Sequence, residues 1–485
     1  MFISIMSIIF IIMIVGTVLF TELKWMSLIN ILGSIAISII TLQVTEYIYH
    51  HQSLTLFNDF IYIDSLSVIQ LLIVSFVALI SLIYSYKYLK NEIKEDTINL
   101  ANAKLFYFML VVFYLSMVLT SITNNIVAMW ISIEATTIST AFLIGFNRSK
   151  LSLEAAWKYI IICSIGISLG FVGIVIFIYS ANTLDPNQAV HWDYLMKNYE
   201  FLDKNVVLVA FTFIFVGIGT KAGLAPMHTW SPQTHSEAPA PINALLAGVL
   251  HNLALYVIIR FYAIVNNIES LINLKYLFIV FGAISLIVSA FSLLRQTNYL
   301  RLLAFSSVEN IGIMSLGIGI GGFLGTFGAL LHSLIHAFTK TLLFLTLGNI
   351  FGLYKTRRIN NIHTLIKTMP KNAVFLILGV LAITGVPPFA SFYSEFFILI
   401  AGIESGHYIT IFIYVLCLLL VFSGFINAFT KMIFSSSEQE STKSYKDNEN
   451  IFPLCLTLIL MIFISIPYKE PILTIINRAA LIIGG

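Results

Sequence analysis

"GIGTKAGLAPMHTWSPQTHSEAPAP", residues 217–241, begins as an apolar helical run, carries Lys221 inside it, and is then punctuated by Pro226, Pro232, Pro239 and Pro241. Proline removes a backbone donor and opens a helix, which in a membrane is tolerated only where the freed carbonyls face protein, water or an ion. The rest of the chain supplies that membrane. Hydrophobic residues make up 59% of the 485 and charged residues 10%, too few charges to coat a soluble protein. The fold class is therefore an all-α polytopic membrane protein. The bilayer is its solvent, and a net charge of +3 gives no sign of a nucleic-acid partner.

The opening run "MFISIMSIIFIIMIVGTVLF" has no basic residue before it and no small-residue cleavage site after it, so it reads as a retained first helix. Apolar stretches of about twenty residues, enough to cross a bilayer, start near residues 2, 25, 61, 105, 125, 154, 205, 240, 273, 300, 323, 372, 407 and 451. About fourteen transmembrane helices result. With the N-terminus outside, 18 of the 26 Lys and Arg fall on the cytoplasmic side, from Lys24 through the Lys87–Lys104 and Lys355–Lys371 groups to Lys446. Only Lys197, Lys204, Lys275, Lys469 and Arg478 fall outside, and Lys221, Arg260 and Lys340 lie in or at the ends of spans. One missed span would swap every later loop and erase the bias, so both termini are expected on the outer side of the membrane. The segment "SSSEQESTKSYKDNEN" (435–450) reads as a solvated linker.

A second stretch, "LAITGVPPFASFYSEFF" (381–397), repeats the pattern of helix, Gly/Pro interruption and helix with an ionisable residue at the break. Paired breaks in corresponding halves point to inverted-topology repeats. The expected organisation is helices 1–3 in 1–103, a five-helix repeat in 104–265, its inverted counterpart in 266–434, and a linker with the last helix in 435–485. Helices 7 and 12 are the broken ones.

Charges inside the spans mark the site. Glu134 sits mid-way in the fifth span and Lys221 in the seventh; each alone costs at least about 2.5 kcal/mol at bilayer depth, so both are expected to face the bundle interior and to pair. The pair is either a static clamp or a switch in which a change of separation loads or releases a proton. In "HSLIHAFTKTLLFL", His332, His336 and Lys340 recur every four residues on one helix face, a polar stripe about 12 Å long. Zinc ligation lacks a third ligand on that helix, and paired haem ligation lacks facing His pairs, because the other histidines read mostly as loop residues. A hydrated proton relay uses the stripe best. His251 reads equally as a packing residue or a link, and Glu395, beyond "GVPP", as a helix cap or the terminus of the row. Asp64 and Glu309 read as boundary residues. Cys163, Cys417 and Cys455 are isolated, so neither an iron–sulfur nor a structural zinc cluster can be built from them; this chain is expected to hold no cofactor or metal, and any electron-transfer centre belongs to another chain. The G-x-G-x-x-G pattern at Gly317, Gly319 and Gly322 joins two membrane helices with no strand before it, and reads as a tight helix connection.

"KAGLAPMHTWSPQTHSEAPAP", "HSLIHAFTKTLLFL" and "GVPPFASFYSE" resemble the signature segments of the proton-conducting, antiporter-like membrane subunits shared by respiratory complex I, multisubunit sodium/proton antiporters and membrane-bound hydrogenases. Residues 133–170 most resemble the hydrogenase-4 component F branch. The resemblance implies fourteen helices, two inverted five-helix units, and a midplane row of ionisable residues. Glu134 is similar to the family's fifth-helix glutamate and Lys221 to its seventh-helix lysine; His332, His336 and Lys340 match its central relay, and Glu395 its twelfth-helix terminal group. The eighth-helix lysine of many members falls at Asn252, which cannot titrate, leaving His251 or water to complete the path. The implied function is a proton-translocating, non-redox subunit of an energy-converting complex, working with other membrane subunits and a peripheral cytoplasmic redox module. The alternatives are a sodium/proton antiporter subunit or the membrane partner of an inorganic-carbon uptake complex.

Overall fold

The computed structural model describes residues 2–435, 450–466 and 470–484. Residues 436–449 of the expected linker lie outside the described residues. Among those described, twelve helices are long and apolar enough to cross a membrane: Phe2–Leu19, Leu23–His51, Ser65–Lys94, Leu100–Ile122, Ile126–Asn147, Lys150–Tyr179, Lys204–Glu237, Ala240–Asn266, Lys275–Leu294, Tyr299–Ile320, Gly322–Tyr354 and Tyr408–Phe434. Between the eleventh and the last of these lies the expected twelfth span, built from Pro370–Ile383 and Ala390–Glu404. The chain is a polytopic all-α membrane protein. Many helices begin at a polar residue whose side chain caps the first turn: Asp64, Asn99, Asn125, Ser149, Asp203 and Asn298 each accept a bond from a backbone N–H.

The fourteenth span differs from expectation. Phe452–Ser465 has 14 residues and Ile472–Ile483 has 12, each too short to cross a hydrocarbon layer of about 30 Å alone. The sequence "IPYKEP" between them carries two prolines and two charges, which interrupts the apolar run. Ser465 Oγ accepts from Ala390 N at the start of the second half of the twelfth span, and Arg478 donates to the carbonyls of Ile48 and Tyr49 at the end of the second.

The loops meet in two groups, as the alternation of spans requires. Lys355 pairs with Glu95 and Arg357 with Glu237 on one face. On the other, a short antiparallel hairpin of Ser53–Leu56 and Ile61–Asp64 sits beside the loop helix Trp192–Lys197. Asp64 is a boundary residue, but not a solvated one. It caps the third span and makes a buried two-pronged pair, 2.6 Å on each arm, with Arg260 of the eighth. Tyr256 and Trp192 lie against the guanidinium, and Ser67 accepts a further bond from it.

Both expected breaks are present as interruptions of helix. The first follows Ala222, where Gly223 takes φ +80°, and helix resumes after Pro226. The second follows Ile383, with Gly385 at φ +65°. Positive φ suits glycine, and the freed carbonyls are satisfied by side chains: Trp230 Nε1 donates to Thr220 O and Ser391 Oγ to Ala382 O. Gly317 and Gly319 pack against Gly325 and Ile279 of neighbouring helices, so the run around them is a tight connection as expected.

Candidate functional site

The eighth and eleventh spans are enclosed by the other helices over their whole apolar windows and form a central seam. Gly248 brings the two backbones together, since a β-carbon there would lie 2.7 Å from Ala337 O, and Asn252 donates to Ser333 O across the same contact. A wide π turn over Leu246–Leu250 precedes His251 and re-aims it. Its ring reaches the first break, where a β-carbon on Gly223 would lie 3.7 Å from Cε1. His251 also stands edge-on to Trp230 and His235, with ring centroids 5.3 and 5.5 Å away.

Lys221 is fully buried, and its Nζ donates to Ile133 O and Thr137 Oγ1 of the fifth span, both at 2.6 Å. Thr137 in turn donates to Glu134 Oε2 at 3.1 Å, and Ser164 donates to Oε1 at 3.0 Å. The expected Glu134–Lys221 ion pair is thus a bridged one. The cause is helical spacing: Glu134 and Thr137 are one turn apart, and the lysine reaches the shorter side chain, which leaves Glu134 half-buried between the fifth and sixth spans.

In the eleventh span the stripe of His332, His336 and Lys340 is buried throughout. Lys340 Nζ donates to Leu303 O at 2.7 Å and to Ser306 Oγ, both on the tenth span. His332 is engaged at both ring nitrogens, Nε2 to Asn310 Oδ1 and Nδ1 to Ser394 Oγ, each at 2.9 Å. These partners occupy the nitrogens a zinc ion would need. His336 stacks beside it at 6.4 Å, and both ring nitrogens of His336 and of His251 are buried without a hydrogen-bond partner. The row ends at the second break, where the carboxylate of Glu395 lies against Gly385 so closely that a β-carbon there would collide with Oε2. Glu395 is half-buried there, and the first turn of its helix is begun by Phe389, whose side chain caps nothing.

Two residues read differently in sequence belong to this row. Glu309, taken as a boundary residue, is 2% exposed inside the tenth span. Its Oε2 has no partner, and it stands within electrostatic reach of Lys340, Glu395, Tyr414 and Cys417. His235, taken as a loop residue, is fully buried in the second half of the broken seventh span, stacked on Phe344. Glu309 lies one residue from Asn310 and three from Ser306, which hold His332 and Lys340, but it is the eleventh span and not the local sequence that brings those partners in.

The family described as NADH:quinone oxidoreductase/Mrp antiporter, TM, matches residues 123–468. The hydrogenase-4 component F homolog of Methylacidiphilum infernorum is 35% identical over 344 residues, covering 70% of this chain and 72% of the relative. The NADH-quinone oxidoreductase subunit N of Desulforudis audaxviator is 26% identical over 359 residues, covering 74% and 69%. Among solved structures, a chain of the membrane-bound sulfane sulfur reductase, an archaeal respiratory membrane complex, superposes with a TM-score of 0.87 at 21% identity over 99% of this chain and 96% of that one. A chain of the Mrp complex from Dietzia sp. does so with 0.84 at 15% identity over 98% and 95%. The structural likenesses establish the fold, and the family match spans most of the chain, breaks and buried row included. The chain belongs to the NADH:quinone oxidoreductase/Mrp antiporter transmembrane family.

Proposed function

We propose that this chain is the proton-translocating membrane subunit of an energy-converting redox complex and performs no redox chemistry itself. The observation that carries the reading is the row itself: Lys221, His251, His336, Lys340, His332 and Glu395 run from one helix break to the other through the interior of the bundle. Intramembrane ionisable groups of this kind face ion pathways far more often than they serve packing.

Glu134 and Lys221 form the loading end. Thr137 couples them, so a shift of Glu134 at the edge of the bundle changes the field and hydrogen bonding at the lysine. The proton released there passes to His251 at the break, then along His336 and Lys340 towards Glu395. Imidazoles with both nitrogens free are suited to exchanging protons through intervening water. The partners in this reading are other membrane subunits of the same complex and a peripheral cytoplasmic module that holds the iron–sulfur or nickel–iron centres. The location is the bacterial cytoplasmic membrane, with both termini outside, and the inverted-repeat organisation accounts for the similarity of the two breaks.

The test uses the intact complex in inverted vesicles. Glu134→Gln should abolish redox-driven acidification while dye-coupled electron transfer survives. Undiminished pumping refutes the assignment, and cation exchange without any electron donor identifies an antiporter subunit instead.

A further inference from the structure

Four buried histidines make up the row's imidazoles, and they are not equivalent. His251 and His336 have no partner at either ring nitrogen, whereas the two flanking rings, His235 and His332, are each held by an asparagine. Carboxamide orientation follows from the neighbouring carbonyls, which only accept. Asn243 Nδ2 donates to His235 O and Ala238 O, both at 2.9 Å, so its Oδ1 is the atom 3.0 Å from His235 Nδ1. Asn310 Nδ2 donates to Ser306 O at 2.6 Å, so its Oδ1 is the atom 2.9 Å from His332 Nε2. An amide oxygen carries no hydrogen, so the ring must donate. His235 therefore keeps a proton on Nδ1 and His332 on Nε2.

The other nitrogen of each ring is then the exchangeable one. For His235 it is Nε2, which has no partner, and the neighbouring ring is His251. For His332 it is Nδ1, held 2.9 Å from Ser394 Oγ, which also lies 2.7 Å from Ser391 O. A hydroxyl has one hydrogen to give. With neutral His332 it is donated to Nδ1; when Nδ1 gains a proton, the ring donates to Oγ and the hydroxyl turns to Ser391 O. Both states are fully hydrogen-bonded, and only the Nδ1–H bond is made or broken between them.

We propose that Asn243 and Asn310 are positioning residues that fix the tautomers of His235 and His332, making each a terminal proton store that loads and unloads through a single nitrogen. His332 exchanges at the Ser394 side, next to Glu395, and His235 at the side of His251. Conduction between them falls to His251, His336 and Lys340. The inference rests on the relay reading above, and the charged or titratable groups around these stores are Lys340, His336 and His251, with Glu395 beside Ser394 on the twelfth span.

The test is solid-state NMR of nitrogen-labelled histidine in the full chain, within its lipid-reconstituted complex. Signals are assigned by their loss in His235→Gln and His332→Gln. The wild-type spectrum should place the hydrogen of neutral His332 on Nε2 and that of His235 on Nδ1. Asn310→Leu should mix the His332 tautomers while Asn310→Asp, which keeps an acceptor, preserves them; Asn243→Leu should do the same to His235. In the coupled assay Asn310→Leu should slow proton translocation about tenfold at unchanged electron transfer. Nε2 bare in wild-type His332, or a tautomer unmoved by Asn310→Leu, overturns the lock. If the tautomers are as assigned and His332→Gln pumps normally, the lock stands and the relay reading fails at that residue.

Discussion

The lysine of the seventh span and the lysine of the eleventh are held in the same manner and sit in opposite surroundings. Lys221 gives one bond to Ile133 O and one to Thr137 on the fifth span; Lys340 gives one to Leu303 O and one to Ser306 on the tenth. Each neighbouring helix also carries a glutamate about one turn from the hydroxyl. Glu134 is half-buried, with Thr137 and Ser164 each donating to a carboxylate oxygen. Glu309 is sealed and has an oxygen with no partner. The same lysine clamp thus serves a carboxylate that opens to the side of the bundle in one region and a carboxylate enclosed by titratable side chains in the other. The first arrangement can take an input from a neighbouring subunit. The second is suited to holding a proton.

The largest effect should come from removing the enclosed lysine. Lys340→Met keeps the volume of the chain and deletes the charge, and proton translocation by the intact complex should fall at least a hundredfold, to the vesicle leak, with electron transfer retained. A variant that still pumps would make the eleventh-span lysine a packing residue and end the comparison. Next is Glu309→Gln, expected to slow translocation about tenfold. Because it replaces a buried carboxylate with one unpartnered oxygen, thermal stability should be unchanged or raised. Glu134→Gln, which should abolish pumping, should bring no such gain in stability, since Glu134 is already hydrogen-bonded. A fall in melting temperature for Glu309→Gln would mean that its carboxylate is engaged after all.

Smaller again is Thr137→Val, which removes the bridge between Lys221 and Glu134 while keeping shape. Translocation should drop about fivefold, and Thr137→Ser should restore most of it. Equal loss in both would assign the threonine a packing role in the fifth span.

Much of this architecture is legible in the sequence because the membrane makes its rules strict. Every span must be a closed helix, so apolar length marks the spans, and proline beside glycine marks the breaks at Gly223 and Gly385. The stripe at His332, His336 and Lys340 follows from helical spacing alone. The illegible parts depend on what faces what. Glu309 lies among Ser306, Ser307 and Asn310, a polar cluster that in one dimension resembles the end of a helix; only the arrival of Lys340 and His332 from the eleventh span makes that cluster an interior. His235 lies in "SPQTHSEAPAP", whose composition is that of a loop, yet Asn243 and Phe344 bury it. Thr137 was invisible for a similar reason, since Glu134 offers the more obvious partner to a lysine and only the geometry of the turn chooses the hydroxyl.

The smallest of these effects concerns the open side of the first region. Ser164 of the sixth span donates to Oε1 of Glu134, a residue that is only half-covered. Ser164→Ala deletes one hydrogen bond to a charged group that keeps its bond from Thr137, so the loss of stability should be about 1 kcal/mol and translocation should fall no more than about threefold. The carboxylate can turn about its own side chain and recover a partner from the surroundings, which the sealed Glu309 has no room to do. The measurement is the ratio of the two defects in one preparation of vesicles: Ser164→Ala set against Glu309→Gln. A ratio well below one supports an adaptable carboxylate at the edge and a fixed one inside. If Ser164→Ala is as damaging as Glu309→Gln, Glu134 is held as rigidly as its counterpart, and the contrast between an input carboxylate and a storing one is lost.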